Sequence, residues 1–225
     1  MQRLFDIIFS GFALLVLSPL LIPIVILLRF SGEGEIFFVQ QRVGKDGKKF
    51  GLLKFATMLK NSPNMGTGTV TVKHDPRILP MGHFLRKTKI NELPQLLNIL
   101  KGDMSVIGPR PQAQRCFDAF STDVQGEIIK VRPGLSGIGS IVFRDEENLL
   151  HGARDQVGFY DNVIAPYKGE VEKWYIRNQG LKNYFLLIFL TVWVVLFPMS
   201  DLVWRAFPGL PVPPDDLKVP LSHLV

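Results

Sequence analysis

Residues 1–30 read MQRLFDIIFSGFALLVLSPLLIPIVILLRF, and the reading of this stretch decides the fold. It has the length of a membrane span, since the hydrocarbon core of a bilayer takes roughly 20 apolar residues as a helix. Yet it carries Asp6 near its start and Pro19 and Pro23 in its middle. A proline inside a helix removes a backbone donor and crowds the preceding turn, so Ser18-Pro19 should kink the segment, with the serine hydroxyl available to the carbonyls left without a donor. Charge points the same way. Arg3 lies before the apolar run and Arg29, Arg42, Lys45, Lys48 and Lys49 follow it, so both flanks favour the cytoplasmic face. The expectation is a re-entrant hairpin broken at Ser18 and Pro19, with a single span containing prolines as the alternative. A cleaved signal peptide fits less well, because the apolar region is too long and no small-x-small site follows it.

A second apolar run, YFLLIFLTVWVVLF at residues 184–197, is uncharged but short of a span. It reads as a helix that either lies in the membrane interface or is buried in a core. Trp193, Trp204 and Arg205 suit a headgroup boundary, where amphipathic rings and long cationic chains settle. The tail from Phe207 onward is punctuated by proline and reads as extended.

The 225 residues allow one main domain with appended segments. Hydrophobic residues make up 47%, and they gather at the two ends rather than spreading evenly. The net charge of +6 suits nucleic acid, anionic lipid or phosphate-bearing substrates without choosing among them. A single cysteine, Cys116, rules out an intramolecular disulfide and reads as a small buried residue. His74 and His83 lack metal-ligand spacing with it or with each other, so no zinc site is expected.

Between the apolar ends, EIFFVQQRVG (35–44) and KDGKKFGLLKFATM (45–58) read as two short strands joined by a turn at Asp46-Gly47. The glycines of NSPNMGTGTVTVKHDPRI (61–78) match no phosphate-loop pattern, and a surface loop is expected there. In GHFLRKTKINELPQLLNILKG (82–102), Leu93, Leu96, Leu97 and Leu100 fall at helical spacing. Asn91 reads as the N-cap of a helix from about Glu92 to Lys101, closed by Gly102. Arg86, Lys87 and Lys89 precede that helix, so its N-terminal donors and a basic approach offer an anion site. Arg110 is held between Pro109 and Pro111, and Arg132 precedes a Pro-Gly turn in VRPGLSGIGS (131–140). Guanidinium groups on stiff backbone suit phosphate. Neither a long basic stripe nor a stacking platform is present, and nucleic acid is not an expected partner.

Taken together, the Ser18-Pro19 break, QQRVGKDGKKFGLLKFATM, LRKTKINELPQLLNILKGDMSVIGPRPQ and VRPGLSGIGS resemble the bacterial sugar transferases, the monotopic polyprenyl-phosphate phosphoglycosyl transferases. The resemblance implies an α/β, mostly helical, membrane-associated domain with an N-terminal re-entrant membrane helix and interfacial amphipathic helices. It would be divided as a re-entrant helix (1–30), a cytosolic transferase domain (31–180) and a membrane-interfacial tail (181–225). It also implies transfer of a phosphosugar from a UDP-sugar to undecaprenyl phosphate, with Mg2+ as cofactor, on the cytoplasmic face of the bacterial inner membrane. Inner-membrane lipid is then a partner, and a second copy or downstream glycosyltransferases are further candidates. Lys54, Arg86 and Arg110 match phosphate-binding positions, with Arg132 an added candidate, and Glu92 matches the second member of an acidic catalytic pair. Magnesium would fall to Glu92 and Asn91.

Asn91 departs from the family pattern, which has an aspartate nucleophile there, and an amide is a poor nucleophile. Ala56 departs too, where the family usually has arginine. Three readings stay open. Glu92, or a carboxylate of RDEE (Asp145, Glu146, Glu147), could be the nucleophile, although such a charged run more often forms a solvated loop. The lipid phosphate could attack directly, or the site could be a binding-only relic or an engineered change. The alternative function is a non-catalytic membrane protein that binds nucleotide sugar or recruits glycosyltransferases.

Overall fold

The structure is a computed structural model describing residues 1–65, 75–151 and 154–218. The glycine-rich part of the expected surface loop, with His74, and the last residues of the tail lie outside the described residues.

The chain opens with α1, Gln2–Arg29, in which Pro19 and Pro23 are both contained. Pro19 cannot donate to the carbonyl of Leu15 four residues back, and the Ser18 hydroxyl donates to that carbonyl at 2.7 Å instead. The helix therefore continues through the proline as one element. Among the described residues α1 is the helix long and apolar enough to cross a membrane. Only 11% of its most apolar window is buried in the protein, which a core helix would not show. Leu4, Phe12, Leu15 and Val16 are exposed along it.

Strands β1 (Phe37–Val43) and β2 (Lys49–Phe55) pair as a two-stranded ribbon. The expected turn is present: Asp46 has φ +58° and Gly47 φ +70°, the left-handed pair that matches the twist of a hairpin. Helix α2 (Pro80–Lys87), a 3-10 turn (Ile90–Glu92) and α3 (Gln95–Lys101) follow. After them come β3 (Ser105–Ile107), α4 (Gln114–Asp118), α5 (Thr122–Ile128) and β4 (Gly134–Ser136). The rest is helical: α6 (Ile138–Val142), α7 (Glu146–His151), α8 (Gln156–Phe159), a π turn (Tyr160–Ile164), α9 (Ala165–Arg177), α10 (Leu181–Leu196), α11 (Leu202–Ala206) and α12 (Asp215–Lys218). The protein is mostly helical, as the resemblance implies.

Two compact units result. The first comprises Met1–Asp6, Arg42–Phe50 and Gly102–Val225; the second comprises Ile7–Gln41 and Gly51–Lys101. In the first, Tyr184, Leu187, Leu190 and Val194 of α10 are buried, while Phe185, Phe189, Val192 and Val195 are exposed. One face of α10 thus belongs to the core and the other is apolar and uncovered. Asp6, the odd charge of the N-terminal run, is 2% exposed, and its Oδ1 accepts from the Ser105 hydroxyl, the Val106 N–H and the Tyr184 hydroxyl, each at 2.9 Å. A buried carboxylate is tolerated when donors surround it, and here three do.

In the second unit, Ile24 and Leu28 of α1 pack with Phe55 and Leu85, with Met81 and Ile90 at the margin. Gly82 sits so close to Thr57 that a Cβ would lie 2.1 Å from its carbonyl oxygen, which lets α2 approach that backbone. Arg77, 4% exposed, bonds Asp75 through two nitrogens and donates to the carbonyls of Ser62 and Met65 at 2.7 Å, so its buried charge is fully engaged.

Candidate active site

In the second unit the chain leaves α2 and turns sharply at Lys89, which adopts φ +59°, the left-handed region a side chain rarely occupies. The 3-10 turn then begins. The expected helix from Glu92 is corrected here: α3 starts at Gln95, and Ile90 to Glu92 form the separate turn. Pro94 is the reason. In an α-helix its N–H would take the Ile90 carbonyl, but proline has none, so Leu93 N–H takes it at 3.1 Å. Asn91 is not a cap. Its side chain turns inward at 8% exposure, and Oδ1 has no hydrogen-bond partner among the described residues. Gly102, by contrast, has φ +101° after the last turn of α3, as a closing glycine requires.

This turn presents Glu92 to Lys54 of β2, with Nζ and Oε1 3.4 Å apart and side-chain exposures of 19% and 22%. The register that allows it comes from Asn98, a residue the sequence reading passed over. The Asn98 Oδ1 accepts the Leu53 N–H at 2.9 Å and its Nδ2 donates to the Gly51 carbonyl at 2.8 Å, so a buried amide ties α3 to the strand that carries Lys54. Its only sequence signal is a polar residue within a leucine-rich helix. Arg86, at the end of α2, places Nη1 3.7 Å from the Met58 sulfur. Ala56 is buried, and its N–H donates to Ile36 at 2.9 Å, so the position is held by backbone pairing whatever its side chain.

In the first unit, parallel pairing of β3 with β4 aligns Ser105 with Gly134 and Ile107 with Ser136. A Cβ on Gly134 would lie 2.1 Å from the Gly108 nitrogen, and one on Gly137 would lie 2.1 Å from the Gly108 oxygen. The glycines of IGPRP and RPGLSG therefore mark bare backbone pressed against backbone, which sets where Arg110 and Arg132 leave the chain. The Arg110 N–H donates to Glu172 Oε1 at 3.1 Å, and the Arg132 Nε donates to the Gly102 carbonyl at 2.8 Å. These two arginines border different cavities.

Glu172 is a second residue that sequence reasoning missed. It is 1% exposed, its Oε2 has no partner among the described residues, and burial pushes its carboxyl up to about 7 against the Arg110 N–H and the nearby Lys168 charge. Gly139 makes room for it, since a Cβ there would stand 2.3 Å from Oε1. Lys168, also buried, pairs with Glu146 of RDEE at 2.6 Å. That carboxylate is committed to a buried lysine rather than to a solvated loop. Cys116 is partly buried rather than fully so.

For a divalent ion of the magnesium type, the turn offers oxygen donors: the Glu92 carboxylate and the buried, unpartnered Asn91 Oδ1. Such ions are commonly held by one or two carboxylates together with substrate phosphates, and that donor set fits. Among the described residues, no group of three His, Cys, Asp or Glu side chains gathers into a self-sufficient metal site.

Residues 1–198 match the family model described as bacterial sugar transferase. The chain is 35% identical over 85% of its length to the exopolysaccharide production protein ExoY of Sinorhizobium fredii, covering 83% of that relative. It is 31% identical over 87% of its length to the UDP-galactose-lipid carrier transferase of Erwinia amylovora, covering 40% of it. It is 34% identical over 85% to the UDP-glucose:undecaprenyl-phosphate glucose-1-phosphate transferase of Escherichia coli, covering 39% of that protein. The chain thus spans well under half of these last two relatives.

Proposed function

Because the chain belongs to the bacterial sugar transferase family, we propose that it transfers a phosphosugar from a UDP-sugar to undecaprenyl phosphate, starting a lipid-linked glycan. The observation that carries this reading is the Lys54–Glu92 pair, a part-buried cation and carboxylate set beside the buried Asn91 oxygen at the end of a basic run. Phosphoryl transfer demands alignment and charge neutralisation more than covalent help from the protein. Relatives named for transfer to undecaprenyl phosphate support the substrate class.

The chemistry follows from the residues present. An oxygen of the lipid phosphate, already anionic and needing no general base, forms a bond to the sugar-bearing phosphorus. The bond from that same phosphorus to the bridging oxygen breaks, and UMP leaves carrying this oxygen and the electron pair. Lys54 and Arg86 offset the charge spread over the phosphoryl oxygens, while Glu92 keeps Lys54 oriented. Magnesium, held by Glu92 and Asn91 with substrate phosphate, would neutralise diphosphate charge. Asn91 supplies no carboxylate, so the reaction proceeds without the covalent phosphosugar intermediate of the family pattern.

The membrane reading belongs to the same proposal. α1 anchors the protein in the inner membrane as one helix bent at Ser18-Pro19, its basic flanks toward the cytoplasm, and residues 31–180 form the catalytic domain. The uncovered face of α10 lies in the interface with Trp193 and Trp204 at headgroup depth. Detergent-solubilised protein given magnesium, polyprenyl phosphate and a panel of UDP-sugars should release UMP with at least one sugar. Silence across the whole panel would overturn the transferase reading.

A further inference from the structure

The first unit carries an open cavity of about 210 Å3 that none of Lys54, Arg86, Asn91 or Glu92 lines. Its walls hold four cations from three separate stretches of chain: Arg3 in the first turn of α1, Lys45 at the hairpin tip, and Lys130 and Arg132 before β4. One carboxylate faces them, and it is Asp6, whose Oδ1 already accepts three donors. Lys130 shares its charge with Glu127 at 2.7 Å. Arg132 is oriented through Nε by the Gly102 carbonyl, and its terminal nitrogens have no partner among the described residues; neither has the Lys45 ammonium. A guanidinium anchored by one nitrogen, with its other two presented to a cavity, is arranged for an oxyanion.

Size and position narrow the anion. Pockets for drug-sized ligands run from about 300 Å3 upward, so a whole nucleotide sugar does not fit a cavity of about 210 Å3, whereas a phosphate ester headgroup does. The lining includes the start of α1 and Gln179, two residues before α10 begins. These two apolar helices open side by side, with the Phe5 and Phe185 rings edge to face at 5.0 Å between centroids. Leu4 on one and Phe185 and Phe189 on the other are exposed. A basic cavity at the root of two apolar helices matches the layout of a lipid, with a charged head above and hydrocarbon alongside.

We propose that this cavity binds the phosphate headgroup of a membrane lipid. The proposal rests on the membrane reading of α1 given above, but its test does not use transfer activity. Full-length protein in neutral detergent is titrated with phosphatidylglycerol, with polyprenyl phosphate, with phosphatidylcholine and with soluble glycerol phosphate, and bound ligand is counted by native mass spectrometry. At least one of the two anionic lipids should bind more tightly than phosphatidylcholine, and which one binds identifies the headgroup as bulk phospholipid or lipid acceptor. Removing the two presented cations in Lys45→Gln/Arg132→Gln should weaken that binding about tenfold or more. Lys45→Gln alone, at an exposed hairpin tip, should weaken it in the same direction without endangering folding. Lys48→Gln/Lys49→Gln removes equal charge from the same hairpin outside the cavity and should leave binding unchanged. The proposal fails if the cavity variants bind like the parent, if the control pair loses as much, or if glycerol phosphate binds as tightly as either lipid.

Discussion

Asp6 and Tyr184 lie 178 residues apart in the chain and meet at 2.9 Å, the tyrosine hydroxyl donating to Asp6 Oδ1. The same oxygen takes the Ser105 hydroxyl and the Val106 N–H, so one carboxylate joins the start of α1, β3 and α10. Asp6→Ala would leave these donors buried without an acceptor, at a cost of about 3 kcal/mol. Tyr184→Phe removes one donor and should cost about 1 kcal/mol. Thermal unfolding in detergent should rank the variants in that order; equal stability of Asp6→Ala and the parent would refute the account.

Asn91 predicts a kinetic order. Without a carboxylate nucleophile, the parent protein should release no UMP from UDP-sugar until polyprenyl phosphate is added. Asn91→Asp should release UMP from UDP-sugar alone and carry a labelled phosphosugar on the new side chain. An adduct on the parent, at Glu92 for instance, would instead establish covalent catalysis there.

Lys54 and Glu92 form a part-buried pair at 3.4 Å, so each should matter to rate. Lys54→Gln should lower kcat/KM by about a hundredfold, in the range found for one charge-stabilising donor. Glu92→Gln should lower it by a similar amount or more. Asn98→Ala should reduce activity less and stability more, because it loosens α3 from the strand that carries Lys54. Steady-state UMP release together with thermal melts separates these outcomes.

Glu172 gives a pH signature. Its folded-state value of about 7 lies above the ordinary 4.5, so between these values the folded protein binds more protons than the unfolded chain. Stability from this group therefore falls as pH rises from about 4.5 to 7, and the loss, on the order of 3 kcal/mol, is complete above that window. Glu172→Gln keeps an acceptor for the Arg110 N–H and should flatten this slope, so that the variant gains on the parent at pH 8. A slope unchanged by the substitution would contradict the assignment.

Much of this was legible from residue order. The hairpin announced itself through Asp46-Gly47, the serine rescue of the Leu15 carbonyl through Ser18-Pro19, and the end of α3 through Gly102, because each depends on local backbone chemistry. The start of α3 was misread because Asn91 suits a cap in any sequence. Whether its side chain faces the backbone donors or the interior is decided by packing that spacing does not encode. Glu172, Lys168 and Asn98 were hidden for a related reason. A charged or amide residue on a helix reads as solvated until the opposing face is known, and the partners of Glu172 and Asn98 lie 62 and 45 residues away. Asp6 looked like a blemish in an apolar run and proved to be its fastening point.

The bare backbone contact among Gly108, Gly134 and Gly137 has a consequence for anyone recombining this protein with its relatives. Two stretches separated by an exchangeable run of helices are mated like a key and its ward, with no side-chain play to absorb a mismatch. A crossover placed between residues 108 and 134 is safe only when both donors bring hydrogen alone to these three positions. A single alanine on either side drives main chain into main chain and pushes the arginine loops apart before any chemistry is attempted.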